Sequence, residues 1–268
     1  MVYALIALLF LIAVTGVFAL GGVVKQGPLA FALSFETGHA AREVHEFLAF
    51  SLLAVVAAHW AGVAFESWRL RENLAGAMIT GRKDANDAEK PEPPSIARPA
   101  AAGTILLVLA AIAVPAVAAL SHLPGKGVPT APLDAAYAKA CGECHLAYHP
   151  SLAPAAAWTK TMDGLADHFG ENASLDAETA AKLRGWLTAN ASERWDTRAA
   201  NLLRRLDPAK PERITAAPAW TRIHRDIPEA VFKSKAVGAK GACKACHSDA
   251  DTARFDPQNI AIPIGGKL

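Results

Sequence analysis

Three long apolar stretches, residues 2–20, 44–65 and 101–120, constrain this 268-residue chain more than any other feature. Each has about 20 residues, the length at which an α-helix spans the hydrocarbon core of a bilayer. The first contains no charge, the second only Glu46 and two histidines, and the third an internal proline, Pro115. Neighbouring helices can satisfy the carbonyl that a transmembrane proline frees. The first stretch lacks a basic flank and a small-x-small cleavage site, so it reads as a retained helix, not a removed leader. Beyond residue 120 the chain is polar with scattered apolar positions, as expected for a separate water-facing domain.

Charge placement orients the helices. The segment after the second stretch carries Arg69, Arg71, Arg82, Lys83, Lys90 and Arg98, whereas the segment before it carries Lys25 and Arg42. Basic residues mark the cytoplasmic side. Residues 68–99 are therefore expected in the cytoplasm, and the third helix delivers the C-terminal domain to the opposite side, the periplasm of a bacterial inner membrane. Residues 84–99 are rich in charge and proline and read as a flexible linker; residues 121–132, rich in proline and glycine, read as a tether. Three regions follow: a membrane part over 1–83, a linker, third helix and tether over 84–132, and a water-facing domain over 133–268. The net charge is only +2 and no basic stripe interleaves with aromatics, which excludes nucleic acid as a partner.

The four cysteines form two Cys-x-x-Cys pairs, Cys141 with Cys144 and Cys243 with Cys246, each followed directly by a histidine, His145 and His247. Two thiols about one helical turn apart can add to the two vinyl groups of one porphyrin, and the next imidazole then meets the iron. The 98-residue gap between Cys144 and Cys243 is far longer than a zinc ribbon uses. No thioredoxin-like βαβ context supports a redox dithiol. The expectation is two covalent haem c groups, with all four cysteines as thioether donors.

The second apolar stretch holds His45 and His59. A 14-residue spacing on an α-helix returns to within about 40° of the same face and rises about 21 Å. Two imidazoles so placed suit two haem b groups, one near each membrane surface. A histidine among Val55, Val56, Ala57, Ala58 and Val63 is a functional candidate by default.

The runs His45-Glu-Phe-Leu-Ala, Ala-Ala-His59-Trp-Ala-Gly-Val, Arg71-Glu-Asn-Leu and Ala77-Met-Ile-Thr-Gly-Arg-Lys83 resemble the last part of the bacterial cytochrome b561 family. Members are four-helix, quinol-linked cytochromes with two b haems, and their fourth helix supplies one ligand to each haem. The resemblance spans residues 1–83 and matches the third and fourth helices of that pattern. It implies that role for His45 and His59. Bis-histidine ligation of two haems needs four intramembrane imidazoles, and the other two apolar stretches hold none. The remaining ligands are therefore expected from helices outside this sequence. A start codon assigned too late, or a separate polypeptide, would supply them; a homodimer is the less favoured source.

Downstream of His145 the order is a helical pattern with Trp158, Met162 and Leu165, then Asp167-His168-Phe-Gly, then a helix opening near Ser174 or Asp176 with Leu183, Trp186 and Leu187 on one face. That is the plan of a small class I cytochrome c, with His168 where such a domain presents a methionine. An imidazole there favours ferric iron and lowers the potential. Only 21 residues follow His247, so its opposing ligand must lie upstream. His224 is the better placed candidate and His149 the alternative. His39 and His122 are expected in solvent.

Cys141-x-x-Cys-His-x-Ala-Tyr, Asp167-His-Phe-Gly-Glu-Asn-Ala-Ser-Leu-Asp176, Arg222-x-His-Arg-x-Ile-Pro228, Cys243-x-x-Cys-His and Phe255-Asp together resemble the dihaem cytochrome c family over about 135 residues. Members are low-potential bis-histidine electron carriers, and some pass electrons to a small oxygen-binding haem protein. The expected class is all-α: three transmembrane helices, then a loop-rich, class I cytochrome c-like dihaem domain. The expected function is electron transfer from quinol through haem b to two c haems and on to a periplasmic haem protein. The alternative is a haem enzyme, a dihaem peroxidase or small-molecule reductase, with one reactive iron. A haem-based sensor would need an output domain, and none follows.

Overall fold

The computed structural model describes residues 2–81, 98–207 and 209–263. Helix α1 covers Val2–Ala19 and runs on through a π-helical turn, Leu20–Val24. Helix α2 covers Phe35–Leu70, α3 Leu74–Thr80 and α4 Pro99–Ser121. Three helical segments, Val2–Val24, Phe35–Leu70 and Pro99–Ser121, are long and apolar enough to cross a membrane, and this is a membrane protein. Phe10, Phe47, Phe50, Leu106 and Leu107 are exposed along them. An apolar surface of that extent is stable facing lipid tails, not water. Most of the expected cytoplasmic linker, with Arg82, Lys83 and Lys90, lies outside the described residues.

Helix α2 starts nine residues before the apolar stretch read from the sequence. Hydropathy fails there because Glu36, Arg42 and Glu43 interrupt it. The helix begins where Ser34 caps it, accepting from the Thr37 N–H at 3.2 Å, and Arg42 pairs with Glu46 at 2.8 Å one turn on. At about 1.5 Å per residue its 36 residues reach about 54 Å, beyond a bilayer core of about 30 Å. Helices α1 and α2 cross backbone to backbone at Gly22 and Gly38. A Cβ on either glycine would come to 2.5 Å from the other's Cα, so only glycine fits.

The remainder is a helical domain built around loops. It contains α5 Ala135–Gly142, α6 Ala155–Asp163, α7 Ala177–Ala189, α8 Arg198–Leu203, α9 Pro218–Ile223 and α10 Glu229–Phe232. Asp176 caps α7, accepting from the Thr179 N–H at 2.9 Å. Among the described residues there are no strands, only two isolated bridges, His168 with Glu171 and His247 with Ile260. The larger core joins Tyr137, Trp158, Met162, Leu183 and Leu187. Leu183 and Leu187 are wholly buried, each contributing about 1.5–3 kcal/mol by burial. A second core joins Leu152, Leu203, Ala217 and Ala253, with Trp220 and Phe255 packed against it.

Candidate functional site

Both Cys-x-x-Cys-His motifs open onto one continuous cavity of about 1160 Å³. Cys141, Cys144, His145 and His168 line one end; Cys243, Cys246, His224 and His247 line the other. Single small-molecule pockets run to about 1,000 Å³ at most, so this cavity exceeds the needs of one ligand.

The first motif begins on the last turn of α5 with Cys141 and runs past its end to Cys144 and His145. Asp134 caps that helix through the Ala136 and Tyr137 N–H groups at 2.9 and 3.0 Å. His145 donates its Nδ1–H to the Leu146 carbonyl at 2.8 Å, which leaves Nε2 free. Opposite it, His168 stands on a tight turn. The His168 N–H donates to the Glu171 carbonyl at 2.7 Å, and the Gly170 N–H donates to the Asp167 carboxylate at 2.9 Å. Phe169 and Gly170 both take positive φ, 56° and 97°, to close that turn. Arg213 lies over the Phe169 ring at 4.9 Å. Burial, helped by His145, holds the His168 imidazole below its ordinary range, in the neutral state that binds metals.

The second motif forms a 3₁₀ turn, Cys243–Ala245, with the His247 N–H donating back to the Cys243 carbonyl at 2.9 Å. His224 donates its Nδ1–H to the Trp220 carbonyl at 2.9 Å, and Trp220 stacks on it at 4.2 Å with a 15° tilt. The Phe255 ring meets His247 edge-on at 5.0 Å. Burial, then His224, lowers the His247 pKa, while Asp249 opposes them. Burial pushes the Cys141, Cys243 and Cys246 thiols up.

His145 and His168 have ring centres 6.2 Å apart, and so do His224 and His247. A metal–imidazole bond of about 2.0 Å puts each ring centre about 3 Å from the metal, so two rings on opposite sides of one metal have centres about 6 Å apart. The donors present fit two haems, each between a histidine pair and beside a cysteine pair. The ring planes differ, by 31° in the first pair and 74° in the second.

His149 lies outside the cavity. It is buried, its Nδ1 accepts from the Ser151 N–H at 3.1 Å, and its ring meets Trp195 edge-on at 5.7 Å. His39 and His122 are exposed. In the membrane part, His45 donates its Nδ1–H to the Ile12 carbonyl at 3.0 Å, with Thr15 Oγ1 at 3.1 Å. A Cβ on Gly16 would lie 3.2 Å from its ring. His59 is half-buried further along α2.

Tyr148 was not singled out as a functional residue from the sequence. It stacks on His145 at 5.2 Å and donates its O–H to the Gly241 carbonyl at 2.7 Å, two residues before Cys243. It thus ties one motif to the other. Burial, and the nearby Cys243, push its phenol up to about 12, so it stays a donor at neutral pH. Tyr148→Phe should cost about 1 kcal/mol. A thermal melt of the haem-loaded protein would read this as a Tm lower by about 2–5 °C. An unchanged Tm would show that the bond adds nothing.

The "Dihaem cytochrome c" family model matches residues 137–255, and the "Prokaryotic cytochrome b561" model matches residues 1–81. Among curated proteins none matches. A dihaem c-type cytochrome from Shewanella baltica OS155 is 32% identical, over 51% of this chain and 98% of that one, with a TM-score of 0.41. Two structures of dihaem cytochrome c from Rhodobacter sphaeroides are 32% and 35% identical, covering 46% and 44% of this chain and 98% and 93% of theirs, with TM-scores of 0.37 and 0.38. Two such domains in one chain imply electron transfer. On that identity across nearly the full length of those cytochromes, the chain belongs to the dihaem cytochrome c family and joins such a domain to an N-terminal cytochrome b561 domain.

Proposed function

We propose that this protein carries electrons from quinol, through the membrane part, to two bis-histidine c haems and on to a periplasmic haem protein. The observation that carries the reading is the pair of opposed histidine couples, each at metal-bridging separation, in one continuous cavity. Haem, when bound, supplies a one-electron couple. The chain's residues do the rest. Cys141 and Cys144, and Cys243 and Cys246, would hold the two macrocycles covalently. His145 with His168, and His247 with His224, would hold the two irons, each pair offering two imidazoles 6.2 Å apart. Their carbonyl partners, Leu146 and Trp220, fix the tautomer in which Nε2 faces the metal. A second imidazole offered at each site favours a carrier over a dihaem peroxidase or small-molecule reductase. His149 is the weaker candidate ligand, because its Nδ1 is used by Ser151 and its ring is packed away from the cavity.

In the membrane part His45 and His59 are the proposed haem b ligands, with the opposing ligands coming from helices outside this sequence. The proposed division of the chain stays at 1–83, 84–132 and 133–268. The C-terminal domain is assigned to the periplasm, on the side of the turn between α1 and α2, which it touches.

Membranes holding the full chain should contain two haems per chain that resist acid-acetone extraction. Both should become reduced on mixing with quinol, followed in the c-haem optical bands. One covalent haem per chain, or c haems that respond to dithionite and not to quinol, would overturn the reading.

A further inference from the structure

The turn between α1 and α2 is not free in solvent. Lys25 is buried, with its side chain only 3% exposed, and its ammonium donates to Asp196 at 2.7 Å and to the Leu33 carbonyl at 3.0 Å. The same Asp196 oxygen accepts from the Phe35 N–H at 2.8 Å, at the first residue of α2. The Lys126 N–H donates to the Ala30 carbonyl at 2.8 Å. The Gln26 amide donates to Asp256. Lys25 holds φ at 60°, a left-handed conformation that a non-glycine residue adopts at a cost, and its contacts are what hold it there.

These contacts do not fall evenly on the two motifs. Asp256 follows Phe255, whose ring touches His247. Asp196 leads into α8, whose Leu203 packs in the core against which Trp220 and Phe255 lie. Trp220 in turn stacks on His224. Arg198 on α8 and Arg254 line the space beneath Lys25 and also line the cavity. The direct link through Asp256 and the link through Trp220 lead to the Cys243 end; the Leu203 core also packs against Tyr148, so its route reaches the Cys141 end only through that one ring on His145. The Cys141 end is open: Cys144 and His145 are exposed, and Phe169 is 52% exposed.

We infer that the α1–α2 turn docks the haem-bearing domain on the membrane part with the Cys243–Cys246–His247 site facing the membrane. That site then receives electrons first, and the Cys141–Cys144–His145 site is the outlet to the soluble acceptor. The order of transfer rests on the relay proposed above; the docking does not. Lys25 and Asp196 are positioning residues, because they hold the domain and touch no haem.

The test uses the full-length, haem-loaded protein in membranes. With Gln26→Cys and Asp256→Cys together, mild oxidation should form an intrachain disulfide, seen as a non-reducing gel shift. Adding Asp196→Asn should cut its yield about tenfold, because that change strands the buried Lys25 charge. Failure of the disulfide to form overturns the docking. Next, Cys243→Ala with Cys246→Ala should abolish quinol-driven reduction of the remaining c haem, which dithionite still reduces. Cys141→Ala with Cys144→Ala should leave reduction of the other haem intact. The reverse dependence overturns the order. If a cysteine variant fails to assemble, the ligand variants decide: His224→Ala should slow quinol-driven reduction of both c haems and His168→Ala only that of its own, and the reverse dependence overturns the order. If the disulfide forms but quinol reduces neither c haem in the unaltered protein, the relay fails and the order with it, while the docking stands.

Discussion

Replacing His168 by alanine is expected to turn one of the two haems from six-coordinate and low-spin to five-coordinate and high-spin, so that half of the covalent haem binds carbon monoxide. The argument starts from the turn. Backbone bonds between His168 and Glu171, the Asp167 carboxylate and two positive-φ residues shape it without help from the imidazole. Alanine therefore removes the proposed ligand and leaves the loop. Among the described residues, His145 and His168 are the only histidines lining that end of the cavity, so no second imidazole stands ready. The same haem should gain in potential, because an imidazole favouring ferric iron is gone. His224→Ala should do this to the other haem, and His149→Ala to neither. Ring planes at 31° and 74° would set the orbitals of a bound iron differently. Two low-spin resonances are therefore expected by electron paramagnetic resonance, and His168→Ala should delete only the one from the pair at 31°. Two low-spin haems persisting in His168→Ala, or carbon monoxide binding to the unaltered protein, would show that the axial assignment is wrong.

How far the sequence discloses this arrangement depends on how local each signal is. The Cys-x-x-Cys-His motifs are legible because the attachment chemistry is confined to five adjacent residues. His168 is legible because it sits in the loop before a helix whose capping residue, Asp176, and buried face, Leu183 and Leu187, can be read directly. The length of α2 is not legible from hydropathy, since its first turns are charged and rest on Ser34 and on pairs such as Arg42 with Glu46. The docking turn is hidden for a stronger reason. Lys25 and Asp196 are 171 positions apart, and neither belongs to a motif. A lone lysine between two apolar helices reads as a solvated loop charge until the fold shows the carboxylate beside it. Tyr148 lies between these extremes: its place beside the first motif is visible, but its bond to Gly241 spans 93 positions. His149 shows the limit in the other direction, because the sequence keeps it as the alternative to His224 and carries no sign of its burial.

That burial has a consequence in acid. His149 is 6% exposed and has no carboxylate among its described contacts. Its Nδ1 accepts from the Ser151 N–H, capping the 3₁₀ turn Pro150–Leu152, so the ring proton sits on Nε2. Protonation would put a hydrogen on Nδ1, break that bond and leave a charge against Trp195. Burial accordingly pushes its pKa down to about 4 from an ordinary 6.5. The folded-state value lies below the unfolded one, so the stability linked to this group is fully present above pH 6.5. It is lost as the pH falls towards about 4, because the unfolded chain takes up the proton first. A shift of this size is worth about 3 kcal/mol across that window. His149→Gln keeps an acceptor near Ser151 and cannot titrate. Denaturant unfolding of both proteins between pH 7 and pH 4 should therefore show stability curves that converge by about 3 kcal/mol. Haem propionates and surface carboxylates titrate alike in both and cancel in the difference. Curves that stay parallel down to pH 4 would mean that His149 is protonated in the folded protein and that its buried setting tolerates the charge.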